Sequence, residues 1–123
     1  MTFVAGYYTQ LREATAGSVT DIKPNYMAWG NSTAAESSTF TALGNELGRQ
    51  QVTSYLDVNT DAQRIITYLG PSVANTTVKE LGWFIGATST AGSGTLMKRD
   101  KVSWTKTSLE SRQEQLTAQF KST

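Results

Sequence analysis

The 123-residue chain contains no cysteine and no histidine. Those two absences together exclude disulfides, thiolate nucleophiles, Cys/His zinc sites and the most common general base. Charge is scarce as well: only 17% of residues are charged, and 11 basic side chains against 10 acidic ones leave a formal net charge of +1. So balanced a chain has no field with which to gather nucleic acid, an anionic lipid surface or an acidic partner. No stretch approaches the roughly 18–20 consecutive apolar residues that cross a bilayer as a helix. The opening MTFVAGYYTQLREA has neither a basic leader nor a long apolar run. It therefore does not read as a secretory signal, and the chain is expected to act as made.

What the chain does have is an abundance of Ser, Thr, Ala and Gly. Low charge with many small hydroxyl side chains suits a β-protein whose surface is partly covered by neighbours, and it suits an ordinary soluble domain equally. The length fits one domain with one core, burying roughly two thirds of the surface the unfolded chain exposes.

Local patterns set out the elements. TFVAGYY over 2–8 is an apolar, β-favouring run suited to a strand or an arm. Lys23-Pro24 forces an extended entry into NYMAWG, a short strand ended by Gly30. In the next segment Thr33 and Glu36 stand at capping-box spacing, Phe40, Leu43 and Leu47 recur at helical spacing, and Gly48 fits a stop. That combination predicts two to three turns of helix within 36–48. From Gln51 the period becomes two: Val52, Leu56 and Val58 are expected on one face, and Thr53, Tyr55 and Asp57 on the other. QRIITYLGP follows across Asn59-Thr60-Asp61, the turn chemistry of a hairpin. VKELGWFIGAT alternates with Leu81, Trp83 and Ile85 on one side; STAGSGT reads as a flexible loop. LMKRDKVSWTKT is a long strand whose charges at 98–101 suggest a solvated or edge segment. QLTAQFK, with Leu116, Ala118 and Phe120 on one side, closes the chain as a half-buried strand.

About six strands with turn signals between them predict an antiparallel β-sandwich carrying one short helix near 36–48. Residues 1–20 are expected to form an N-terminal arm or first strand with a possible partner contact, and 21–123 a single sandwich domain. Phe3, Val4, Tyr7 and Tyr8 are the apolar anchors such an arm would offer.

For chemistry the chain has little to work with. Asp57 and Asp61 lie in or beside the predicted turn, where aspartates bond their own backbone. AGSGT has the glycine content of a phosphate loop but no following Lys-Ser/Thr and no helix. Lys98-Arg99-Asp100-Lys101 near Trp104 is of mixed sign, which makes a solvated strand face a better reading than a nucleic-acid strand. Trp29, Trp83 and Trp104 suit core or interface positions better than a sugar-stacking platform. No catalytic residue, cofactor-binding residue or metal ligand is assigned, and no small-molecule ligand is expected. Glu46 and Arg49 stand three apart, either as an exposed pair or as a clamp tying the expected helix to the sheet.

The order of these motifs is informative where each alone is not. Tyr26, Ala28 and Gly30 are followed by Leu43, Glu46 and Arg49. Then come Glu80, Leu81, Gly82 and Phe84; Gly94, Thr95, Leu96 and Arg99; and Lys106-Thr107 ahead of an alternating strand. Over residues 22–120 this order resembles small tailed-bacteriophage virion proteins and the attachment domains of phage tail fibres. The resemblance implies a virion location and a non-enzymatic structural role in a tail-fibre joint, baseplate or collar. Its partners would be copies of itself and other virion proteins. It also implies that Leu43, Glu46 and Arg49 act as a unit, with Arg49 latched to Glu46 or Glu80. A capsid decoration protein and a carbohydrate- or receptor-binding sandwich are the rival readings.

Overall fold

The computed structural model describes residues 2–3, 23–37, 39–59 and 62–119. Eight strands run through them: β1 (Thr2–Phe3), β2 (Pro24–Gly30), β3 (Glu46–Gln51), β4 (Ser54–Asn59), β5 (Ala62–Leu69), β6 (Thr77–Ile85), β7 (Thr95–Thr105) and β8 (Arg112–Gln119). They form a five-stranded sheet in the order β1-β7-β6-β2-β3 and a three-stranded sheet in the order β4-β5-β8, antiparallel throughout. The chain is a mainly-β, antiparallel sandwich.

Alternation decides which side chains meet between the sheets. Met27 and Trp29 of β2, Leu81, Trp83 and Ile85 of β6, and Met97 of β7 share one core with Ile65 and Leu69 of β5 and Leu116 of β8. The three β6 residues expected on one face are together there. The β4–β5 hairpin also forms, pairing Ser54 with Ile66 and Leu56 with Arg64.

The expected helix within 36–48 is not present. Residues 31–37 and 39–45 are instead irregular and lay Phe40 and Leu43 on the outer face of the five-stranded sheet, and β3 begins at Glu46. The helical spacing of Phe40, Leu43 and Leu47 had a different cause. Phe40 and Leu43 serve this second apolar cluster, with Ala28, Phe84, Ala87 and Leu96, while Leu47 is exposed. Burial against a preformed sheet face outweighed a modest local preference.

Two face assignments also change. The chain breaks at Val52 and Thr53 as it crosses between the sheets, so the strand expected from Gln51 is two strands. Val52 enters the core, but beyond the break Tyr55 packs inward and Leu56 faces solvent, 51% exposed. Tyr55 donates its hydroxyl to the Pro24 carbonyl at 2.5 Å, which anchors the crossing. Of the charges at 98–101 only Lys101 is solvated: Lys98 and Arg99 are buried and Asp100 is half-buried. β7 is covered there on both flanks, by β6 and by β1, with Thr2 opposite Arg99 and Phe3 opposite Lys98.

Candidate functional site

Four charged side chains on the outer face of the five-stranded sheet form two separate arginine–glutamate clamps. The first joins neighbouring strands β6 and β7. Arg99 Nε donates to Glu80 Oε1 at 3.0 Å, and neither side chain reaches solvent. Glu80 also accepts the backbone N–H groups of Gly44 at 2.9 Å, Asn45 at 2.9 Å and Ser32 at 3.1 Å. Burial pushes this carboxyl up, but the N–H groups of Asn45, Gly44 and Ser32 and the Arg99 guanidinium outweigh it and hold Glu80 below its ordinary range. On the other side of Arg99, one terminal nitrogen donates to the Ala34 carbonyl at 3.1 Å, and the guanidinium lies 4.7 Å from the centre of the Phe40 ring. A single buried ion pair therefore gathers both ends of the 31–45 segment. Its backbone donors, which have no strand partner, are met by a carboxylate instead.

Two glycines make room for that segment. A Cβ on Gly82 would meet Leu43 Cδ2 at 2.6 Å, and one on Gly30 would run into the Asn45 carbonyl and the Glu80 carboxylate. Each position needs a hydrogen because another chain element passes within contact distance.

The second clamp is on β3. Arg49 grips Glu46 with two parallel bonds, Nε to Oε2 at 2.7 Å and an outer nitrogen to Oε1 at 2.8 Å, with the two side chains 3% and 10% exposed. Its remaining nitrogen donates to the carbonyls of Thr88 and Ser93, both at 3.1 Å, and to the Ser93 hydroxyl at 3.0 Å. The guanidinium lies 4.6 Å from the centre of the Phe84 ring, filling out the second apolar cluster. The glycine-rich run is thus fastened along its length: Gly92 donates to Glu46 at 3.3 Å, and Ser93 Oγ accepts from the Thr88 N–H at 2.9 Å. The Gly92 N–H, the kind of donor a phosphate loop presents to a ligand, is directed instead at the protein's own Glu46 carboxylate.

A strand normally sends residues three apart to opposite faces. Here Gly48 pairs with Trp29 but Glu46 pairs with Gly30, which leaves Leu47 as an extra residue, a bulge in β3. The bulge returns Glu46 to the face of Arg49. Glu80 lies on that same face, but its ionic partner is Arg99.

Residues singled out for other chemistry are dispersed. Trp29 and Trp83 are in the core; Trp104 is half-buried, with the Arg112 guanidinium 4.3 Å from its ring centre. Burial pushes the Lys98 ammonium down against the pull of Asp100 and Glu36, and pushes the Asp100 carboxyl up. Asp61, Val4, Tyr7, Tyr8 and Phe120 lie outside the described residues. Phe3 sits on β1, which pairs with its own chain's β7. Among the described residues no group of three or more acidic side chains is placed to hold a metal ion. No helix among them is long and apolar enough to cross a membrane.

Arg99 as the partner of Glu80 is what sequence reasoning missed. The two are 19 residues apart, and the β6–β7 register shifts twice, between Val78 and Glu80 and between Trp83 and Phe84. Counting back from the loop does not bring them together. No known protein family matches this sequence, and neither does any curated protein.

Proposed function

We propose that this chain is a non-enzymatic structural component of a tailed-bacteriophage virion, in a tail-fibre joint, baseplate or collar. It would work through contacts with copies of itself and with neighbouring virion proteins. One observation carries the reading. The residues that give the sequence its resemblance to such proteins, among them Leu43, Glu46, Arg49, Glu80, Gly82, Phe84, Leu96 and Arg99, gather on a single sheet face and satisfy one another. The motif is accounted for by a frame that fixes two surface segments, and its charged groups are all engaged inside the protein. A part whose task is to present a rigid surface needs that construction.

Light scattering on the purified chain tests this. The expected result is a defined oligomer whose mass falls when residues 1–20 are deleted. A monomer at all concentrations that turns over a small substrate would overturn it. The location of the chain in a map of the particle separates a tail or collar piece from a capsid decoration protein.

A further inference from the structure

The outer face of the three-stranded sheet is built on the opposite plan from the clamped one. Ile65 and Leu69 of β5 and Leu116 of β8 point into the core. Alternation therefore turns Arg64, Ile66 and Tyr68 outward, with Leu56 of β4 on one flank and Gln113 and Gln115 of β8 on the other. Register sets these side chains in rows: Tyr68 lies opposite Gln113, Ile66 opposite Gln115, and Arg64 opposite Leu56. Tyr68 is 48% exposed, and Gln113 and Gln115 are exposed as well. Among the described residues none of these polar side chains is used in a hydrogen bond within the protein. Arg64 is the clearest case. Arg49, Arg99 and Arg112 each hold a glutamate, whereas Arg64 pairs with none and its Nε is buried without an acceptor. At the outward positions of the three strands it is the one charge among the described residues.

We propose that this face binds an acidic polysaccharide, a chain of sugars bearing carboxylates. The guanidinium fork takes a carboxylate through two parallel bonds, and an arginine with no acid of its own is the group that such an anion complements. The Tyr68 ring presents a flat apolar surface with a hydroxyl at its tip, on which the C–H face of a sugar stacks. Gln113 and Gln115 each bring a carbonyl and an amide, so they both accept from and donate to sugar hydroxyls. Arg64 and Tyr68 are four strand residues apart, about 13 Å, a span that engages more than one linked sugar. A second copy is a poorer occupant. Two such faces packed together would bury Arg64 against a surface with no acid to receive it, leaving the charge uncompensated. The site goes beyond the structural role proposed above and does not depend on how copies assemble.

Affinity electrophoresis and titration calorimetry on the full chain test this. The probes are polygalacturonate, alginate and polysialic acid, together with the methyl ester of whichever binds as its uncharged counterpart. At least one acidic polymer is expected to bind, more weakly as salt is raised. Arg64→Gln should weaken that binding by about tenfold, the size of one charge-assisted contact. Tyr68→Ala should weaken it several-fold. Against the ester, Arg64→Gln should bind as well as the wild type, because the carboxylate that the arginine reads is gone. Both substitutions stand at outward positions, and an unchanged thermal midpoint checks that neither acts through folding. Failure of all three acidic polymers to bind overturns the proposal. So does binding that both substitutions leave intact, or an ester held as tightly as the acid. If light scattering shows instead that either substitution breaks an oligomer of the wild-type chain, the face is an interface between copies and the polysaccharide site falls.

Discussion

Glu46 and Arg49 lie three residues apart on a β-strand yet face the same way, because the bulge at Leu47 absorbs one residue between them. That spacing, which on a helix needs no special geometry, is here bound to a defect in the sheet. The bulge aims a bidentate pair at the 86–94 segment. Four expectations follow from the two clamps and the core beneath them.

Removing one partner of the deeper clamp leaves a buried charge uncompensated. Arg99→Met should destabilise the chain by about 3–5 kcal/mol, and Glu80→Gln by less, since its amide retains one acceptor. In Arg99→Met/Glu80→Gln the loss should fall short of the sum of the two singles, the signature of direct coupling. Urea denaturation of the four proteins gives the cycle; additive losses would show that the pair does not act as a unit.

Acid should loosen the same clamp. The Glu80 pKa is lowered from the ordinary value of 4.5 by the Asn45, Gly44 and Ser32 N–H groups and Arg99, which together exceed the opposing effect of burial. A depressed carboxyl contributes stability that is complete above its unfolded pKa and is lost as pH falls through the folded one. Unfolding free energy should therefore decline below about pH 4.5, more steeply in the wild type than in Glu80→Gln. Parallel pH profiles for the two proteins would remove Glu80 as the source.

Arg49→Lys keeps the charge but gives up the fork that spans both Glu46 oxygens and still reaches Thr88 and Ser93. A cost of about 1–2 kcal/mol is expected. Amide hydrogen exchange should report it locally, with faster exchange at Thr88 and Gly92 and little change at Gly44 and Asn45, which Glu80 holds.

Thr67 is fully buried in β5, and its hydroxyl has no hydrogen-bond partner. Thr67→Val keeps the β-branched shape and removes the unmet polar atom. Stability should rise by about 1 kcal/mol, seen as a higher thermal midpoint. A fall would mean that the hydroxyl is satisfied.

The sheet strands were legible because alternation is a local property. Leu81, Trp83 and Ile85 declare their common face in five residues of sequence, and Gly30 ends its strand where the irregular segment begins. The helix expected at 36–48 failed for the complementary reason. Phe40 and Leu43 are apolar because a sheet face made of residues far away in the chain awaits them, and local periodicity does not distinguish that from a helix stripe. Tyr55 and Leu56 exchanged faces at a chain break that carries no glycine or proline to mark it.

Alone, the sequence determined a β-rich chain with most of its strands, a candidate acid and base at 46 and 49, and a set of side chains without histidine or cysteine. Only the tertiary structure decided that Glu80 answers to Arg99, that the glycine-rich run is fastened by Arg49, and that Leu109 stands alone in solvent. Pairing between strands depends on register, and register here is shifted by bulges whose positions are set by packing across the sheet. A side chain's face follows from its nearest neighbours in sequence; its partner follows from the whole fold.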